Sequence, residues 1–413
     1  MNIAIVDAEI VGKNKHRFPN LVCMKLSSYY KNLGNNVVLK LDYENLEKYD
    51  LVFISKVFIK TDIPFEPKDK SSKTEETIVE FYKDNPILKL SNVRFGGTGF
   101  YYDKSPNLEE DIEHCKPDYH LYDDWVNLCV ENGAKKSEFV YYTDYSIGYL
   151  TRGCFRQCKF CVNRNKKMSV NHSDVLEFID NDRPKICFLD DNFFACSNWK
   201  DIISEVKQTK KRFQFKQGLD ERLLTKDKIL ELLSWKYDGD YIFAFDNIED
   251  KEIIESKLQL IYSLTNRTKH KMKFYVFCGF DRNGNYDNAF WEKDVSELFE
   301  RLFILAKYNA IPYVMRHENF NNFKHSGIYI DIASWANQPA MFKKFDFKTF
   351  CMCRGMSGSN YSKYKRDIQK YLEDGGRKMA AWKYMEDFAN EFPNVANTYF
   401  TTVPDSLIEY GIK

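Results

Sequence analysis

Cys154, Cys158 and Cys161 fall close together in the stretch from Leu150 to Cys161, with three residues and then two between successive thiols. Cysteine thiolates are the usual ligands of iron–sulfur clusters. Three of them on so short a loop can hold three irons of a cubane and leave the fourth iron without a protein ligand. An iron open in this way could bind a substrate as well as pass electrons. Gly153 lets the chain turn tightly before the first thiol, and Arg152, Arg156 and Lys159 offset the negative charge of thiolates and cluster. The competing readings are a structural zinc site and a chance grouping. Structural zinc takes four ligands, and the next histidine after Cys161 is as far on as His172. A disulfide framework is disfavoured by the odd number and by an intracellular type of composition.

The segment resembles the signature of the radical S-adenosylmethionine (SAM) superfamily, including the aromatic Phe160 just before the third cysteine. That resemblance implies a [4Fe–4S] cluster on Cys154, Cys158 and Cys161, with Phe160 at the cofactor site and the open iron chelating the amino and carboxylate groups of SAM. It also implies one-electron reductive cleavage of SAM to methionine and a 5′-deoxyadenosyl radical. An electron donor such as a flavodoxin or ferredoxin, and a substrate that yields a hydrogen atom, complete the expected set of partners.

The elements that must position this loop are legible on either side of it. From residue 1 to about 140, the apolar runs Ile3–Val6, Val37–Leu41 and Leu51–Ser55 read as strands. Between the first two, Leu21, Met24, Leu26, Tyr29, Tyr30 and Leu33 recur at near-helical spacing up to Gly34. Strand and helix alternating in this way predict an α/β, doubly wound domain. Its ligand rim would join Asp7–Gly12, Ser55–Val57 and Gly96–Gly99. The region resembles the cobalamin-binding (B12-binding) domains that often precede radical SAM barrels. Glu9 stands where the cobalt-ligating histidine of that family would be, so cobalamin is a possible cofactor that the departure at Glu9, with bulky Lys56 and Phe58 nearby, disfavours. Residues 60–90 read as a polar excursion, with a helix expected over Thr77–Lys83. Cys115 and Cys129 read as buried thiols.

From 141 to 345, strands expected at Tyr145–Leu150, Ile186–Leu189, Phe213–Gln217, Tyr241–Phe245, Phe274–Phe277 and Ile311–Met315 alternate with helices. Those helices fall over Trp199–Gln208, Lys226–Leu233, Lys251–Tyr262 and Lys293–Lys307. That pattern predicts a parallel βα barrel of six strands, whose chemistry would sit just after the strand ends. It resembles the partial barrel of radical SAM enzymes. By that resemblance Asp190, Asp191 and Asn192 lie near the SAM amino group, and Asp220 and Arg222 serve its ribose and carboxylate, for which an arginine fork is suited. The plainer alternatives are helix caps for the aspartates and a solvated pair for Asp220 with Arg222. His317 and Glu318, after the sixth strand, are candidate catalytic residues, and the equal alternative for His317 is a hydrogen-bonded structural histidine. The sequence does not choose a hydrogen-abstraction partner.

From 346 to 413 the chain predicts a small helical cap, with helices over Lys363–Leu372 and Arg377–Phe392, the second ended by Pro393. Cys351 and Cys353 are too few for an auxiliary cluster; a thiol that quenches or relays a radical is one reading, and two ordinary thiols near a Gly-rich turn the favoured one. Across 413 residues, 61 basic side chains balance 60 acidic ones, so charge gives no sign of a nucleic-acid or membrane partner. No apolar run reaches the ~20 residues of a membrane span, and the first residues lack the plan of a signal peptide. A soluble, cytoplasmic protein is expected. Within the enzyme reading, the rival is a cobalamin-dependent radical SAM methyltransferase. From another class, the rival is a non-enzymatic protein with a structural metal cluster.

Overall fold

The computed structural model describes residues 1–13, 15–265, 271–365 and 367–408. The protein is α/β, and its three larger sheets are parallel. It divides into two compact units, residues 1–217 with 236–238, and residues 218–235 with 239–413.

In the first unit, β1 (Asn2–Asp7), β2 (Asn36–Lys40), β3 (Leu51–Ser55) and β4 (Val93–Gly96) form a sheet in the order β2-β1-β3-β4. Side chains alternate faces along a strand, and register decides what each face holds. Ile3 lies beside Val37 and Leu51, and Ile5 beside Leu39 and Phe53. That face packs under the helices Leu21–Asn32 and Asp123–Glu131, with Trp125 in its core. The opposite face carries Ala4, Val6, Val52 and Ile54 against Ile78, Tyr82 and Phe100. Both faces are covered, as the near-continuous apolar strands require. Each fully buried Ile contributes about 1.5–3 kcal/mol relative to exposure. The helix Leu21–Asn32 begins where the Asn20 side chain accepts from the amides of Val22 and Cys23, and it ends before Gly34, whose φ of +76° suits glycine.

The same unit continues with β5 (Tyr145–Gly148) and β6 (Thr151–Arg152). After them come β7 (Val170–Asn171), β8 (Lys185–Phe188) and β9 (Arg212–Phe215). β5, β8 and β9 are a parallel sheet in that order, while β6 and β7 make a short antiparallel ribbon. The helix Trp199–Gln208 has the expected bounds, and Trp199, Ile202, Ile203 and Val206 form its buried stripe.

The second unit carries β10 (Tyr241–Ala244), β11 (Met272–Cys278) and β12 (Ile311–Arg316), a parallel sheet in that order. Its connecting helices are Lys251–Leu264 and Asn288–Lys307. The C-terminal part is helical. The helix expected at Lys363–Leu372 is instead two pieces, Gly358–Tyr364 and Ile368–Glu373, and position 366 between them lies outside the described residues. Pro393 follows the helix Ala380–Glu391 as expected, and it also opens the next one, Pro393–Tyr399, where its missing N–H costs nothing. Among the described residues, no helix is long and apolar enough to cross a membrane.

Candidate functional site

The cysteine loop is an excursion from the β6–β7 ribbon. Thr151 pairs with Asn171 and Arg152 with Val170, and the amide of His172 donates to Leu150 O (2.8 Å). Inside that closure the amide of Cys154 donates to Lys166 O and that of Cys161 to Cys158 O, both at 2.9 Å. Gly153 takes φ +98°, and a Cβ there would lie 2.1 Å from Met168 O, so only glycine fits. All three cysteines are half-buried and none is in a disulfide. N–H groups point at the sulfurs of Cys154 and Cys161. Cys154 Sγ accepts from Arg156 N (3.5 Å) and Asn192 Nδ2 (3.4 Å), and Cys161 Sγ from Asn163 N (3.4 Å). Donors of this kind hold thiolate charge and tune the potential of a bound cluster.

Asp190, Asp191 and Asn192 follow β8 and meet this loop, each with a distinct contact. Asp190 is wholly buried and accepts from Leu150 N (3.1 Å), Thr151 N (2.7 Å) and Thr151 Oγ1 (2.7 Å). Burial pushes its carboxyl up to about 7 despite those bonds. Asp191 accepts from Gly153 N (2.7 Å) on the near side of the cysteines and from Asn163 Nδ2 (2.6 Å) on the far side. It therefore clasps both ends of the ligand segment, with Arg152 Nε 3.7 Å away. Asn192 supplies the amide to Cys154 and, through its carbonyl, accepts from Ser169 Oγ (2.9 Å). Burial, with the Asp191 carboxylate adding to it, raises the Cys161 thiol, while Asn163 N opposes this.

Several residues here carried no sequence signal. Asn163 and Ser169 are polar loop residues and Thr151 a polar residue of β6, none with a motif of its own. Tyr102 is similar: its backbone is in the left-handed region (φ +50°) and its hydroxyl donates to Phe160 O (3.0 Å). Nearby, Arg164 grips Asp103 at 2.7 Å.

The donor set fits a cubane: three half-buried thiols, N–H groups aimed at sulfur and cationic side chains on one loop. Among the described residues, no three His, Cys, Asp or Glu side chains are grouped as ligands of a single ion. Thiolates of a cubane each take a different iron and stand further apart than ligands sharing one ion.

Asp220 and Arg222 belong to the second unit. Arg222 bridges two carboxylates there, Nε to Asp220 and Nη1 to Asp250, each at 2.7 Å. Between them in sequence, Glu221 is buried with Oε1 unbonded, and burial raises its carboxyl well above the usual range. His317 is buried and its Nδ1 accepts from Asn319 N (3.3 Å), capping the turn that starts at Glu318, which is half-buried. Cys351 and Cys353 are buried, and burial pushes Cys353 up to about 11.

The rim of the first sheet does bring together Asp7–Gly12, Ser55–Val57 and Gly96–Gly99, through Ala8 N to Ser55 O (2.9 Å), Lys56 N to Gly96 O (3.0 Å) and Gly99 N to Lys56 O (3.0 Å). It is filled from within. Glu9 accepts from Val57 N and Phe58 N, both at 3.1 Å, and from Thr61 Oγ1 at 2.6 Å. Lys56 is fully buried, its Nζ donating to Tyr82 OH (2.7 Å), Gly99 O (2.8 Å) and Ile59 O (3.1 Å). A Cβ on Gly97 would lie 2.2 Å from Lys56 O, and one on Gly99 2.6 Å from Lys56 Cγ. Glycines that a corrinoid tail would run over are packed on Lys56 instead, an arrangement that does not fit cobalamin at this rim.

No family model matches the chain, and no curated protein matches it.

Proposed function

We propose that the protein is a radical SAM enzyme. The observation that carries this reading is the cysteine loop itself: three half-buried thiols, with N–H groups aimed at Cys154 Sγ and Cys161 Sγ, on a segment clasped at both ends by Asp191. A [4Fe–4S] cluster on Cys154, Cys158 and Cys161 would supply the electron that cleaves SAM to methionine and a 5′-deoxyadenosyl radical. The chain's own part is to hold the three thiols apart and oriented, offset their charge with Arg152, Arg156 and Lys159, and bind SAM. Phe160 lies within the loop, and Asp190, Asp191 and Asn192 meet it from the end of β8; these four are proposed for SAM. Asp220 and Arg222 are proposed for the SAM ribose and carboxylate, and His317 and Glu318 for the substrate side.

The fold that goes with this reading is a Rossmann-like, B12-binding-type domain over residues 1–140, a partial barrel over 141–345 and a helical cap over 346–413. What supports it is the parallel sheet β2-β1-β3-β4 and the two separate three-stranded parallel sheets β5-β8-β9 and β10-β11-β12, each of the latter in chain order. A self-filled rim favours an enzyme that works without cobalamin. A flavodoxin or ferredoxin as electron donor and a cytoplasmic location go with this reading, and eleven cysteines outside any disulfide are what supports the location.

The test is anaerobic. Protein reconstituted with iron and sulfide, then given SAM and dithionite, is expected to form 5′-deoxyadenosine, and Cys158→Ala is expected to abolish both iron loading and cleavage with the fold intact. Cleavage surviving in that variant would overturn the reading. Iron loading without SAM binding would move the protein to the class with a structural cluster.

A further inference from the structure

A groove of about 660 Å³ runs beside β2, at the edge of the first sheet and away from the cysteine loop. Val37, Leu39 and Leu41 line it from the strand, and Leu121, Trp125 and Leu128 from the helix region opposite. Leu128, on the same helix as the buried Trp125, is 46% exposed.

The backbone phase makes this edge a template. β2 is the outermost strand, paired among the described residues only with β1. Asn36 donates its amide to Met1 O (3.0 Å), so Asn36, Val38 and Lys40 turn their backbone groups toward β1. Val37 and Leu39 then turn theirs outward, along the same stretch whose side chains floor the groove. An edge of unpaired N–H and C=O groups beside an apolar groove is what an added strand uses.

Charge selects the occupant. Four ionisable residues flank the groove on its rim, and two have partners of their own: Lys31 with Asp118 and His120 with Asp123, each at 2.7 Å. Asp124 and Glu131 remain, with no bonded cation among the described residues. They are seven residues apart on one helix, about 10 Å on one face, with Leu128 between them. A second copy pairing β2 on β2 would bring this acidic face against itself.

We infer that the outer edge of β2 takes an extended segment of a partner protein as an added strand, one carrying an apolar residue with a lysine or arginine two positions to either side. Basic residues four apart on a strand stand about 13 Å from each other, within reach of both carboxylates. The apolar residue between them enters the groove over Leu39.

The probe is an end-capped, fluorescein-labelled peptide, Thr-Lys-Thr-Val-Thr-Lys-Thr, beside a twin with glutamate for both lysines. The lysine peptide is expected to slow amide exchange across residues 36–41 and to bind at least about tenfold more tightly. The exposed double variant Asp124→Lys, Glu131→Lys is expected to reverse the preference. Equal binding of the two peptides, or no slowing at 36–41 at millimolar peptide, would overturn the inference. So would a dimer in sedimentation whose 36–41 amides are protected without peptide, which would assign the edge to a second copy.

Discussion

Replacing Gly153 by alanine tests whether the cysteine loop is held in shape by the chain. The added Cβ would lie 2.1 Å from Met168 O and 3.1 Å from Lys166 O, whereas ordinary contact begins near 3.4 Å. One side must move by more than about 1 Å, and both nearby carbonyls belong to the segment that closes the loop. Lys166 O holds the Cys154 amide, a bond worth about 1 kcal/mol. Forcing a residue with a Cβ into φ +98° adds about 1–3 kcal/mol. Together these amount to about 3 kcal/mol against the ordered loop, or about a hundredfold in its population. Gly133→Ala is the control: φ is +91° there, and nothing lies within 4 Å of a Cβ. With limiting iron and sulfide under anaerobic conditions, Gly153→Ala is expected to retain less than about a tenth of the parent's iron, and Gly133→Ala all of it. Parental iron loading in Gly153→Ala would refute the reasoning. Equal loss in both variants would do so as well, by tracing the effect to general destabilisation.

Other outcomes follow from the buried charges. Burial pushes Asp7 up to about 6, against about 3.9 in an unfolded chain, so the native state holds a proton that the unfolded state has released. The contribution of Asp7 to stability should therefore fall as pH rises from about 4 to about 6, by about 2–3 kcal/mol. Relative to the parent, Asp7→Asn should gain about that much between these pH values, as read from urea midpoints of the two proteins. A difference between variant and parent that stays constant over this range would contradict it. In the second unit, Arg301 is buried and donates to Phe245 O (2.9 Å), Phe277 O (2.8 Å) and Glu297 O (3.2 Å), tying the ends of β10 and β11. Arg301→Met should cost about 3–5 kcal/mol and lower the Tm by about 10 °C, and an unchanged melt would show the tie to be idle.

The elements with a strong period were legible in the sequence. Trp199, Ile202, Ile203 and Val206 define their helix without help from the rest of the fold, and Ile3–Val6 define β1. What the sequence could not carry was what depends on distant partners. The strand expected to run to Leu150 stops at Gly148, where a Cβ would lie 2.4 Å from Phe178 Cγ, and a two-residue ribbon has no period to read. Lysine is almost never fully buried unless paired, and nothing in the run Ser55–Phe58 marks Lys56 as the exception. At the site, the thiols stood out by type and spacing, and the Asp190–Asn192 run by its place after a strand and by the family resemblance. The clasp by Asp191 did not, because it joins residues brought together only by folding.

That clasp bears on the lifetime of the site. The ties that shape the loop are carboxylate, amide and backbone bonds, and none of the Asp191 contacts uses sulfur. In small zinc domains the metal and the fold are lost together. Here an oxidant that stripped iron from the thiols would leave the mould standing. The proposed centre is thus repairable in place: once the thiols are reduced, reloading requires iron and sulfide but not refolding.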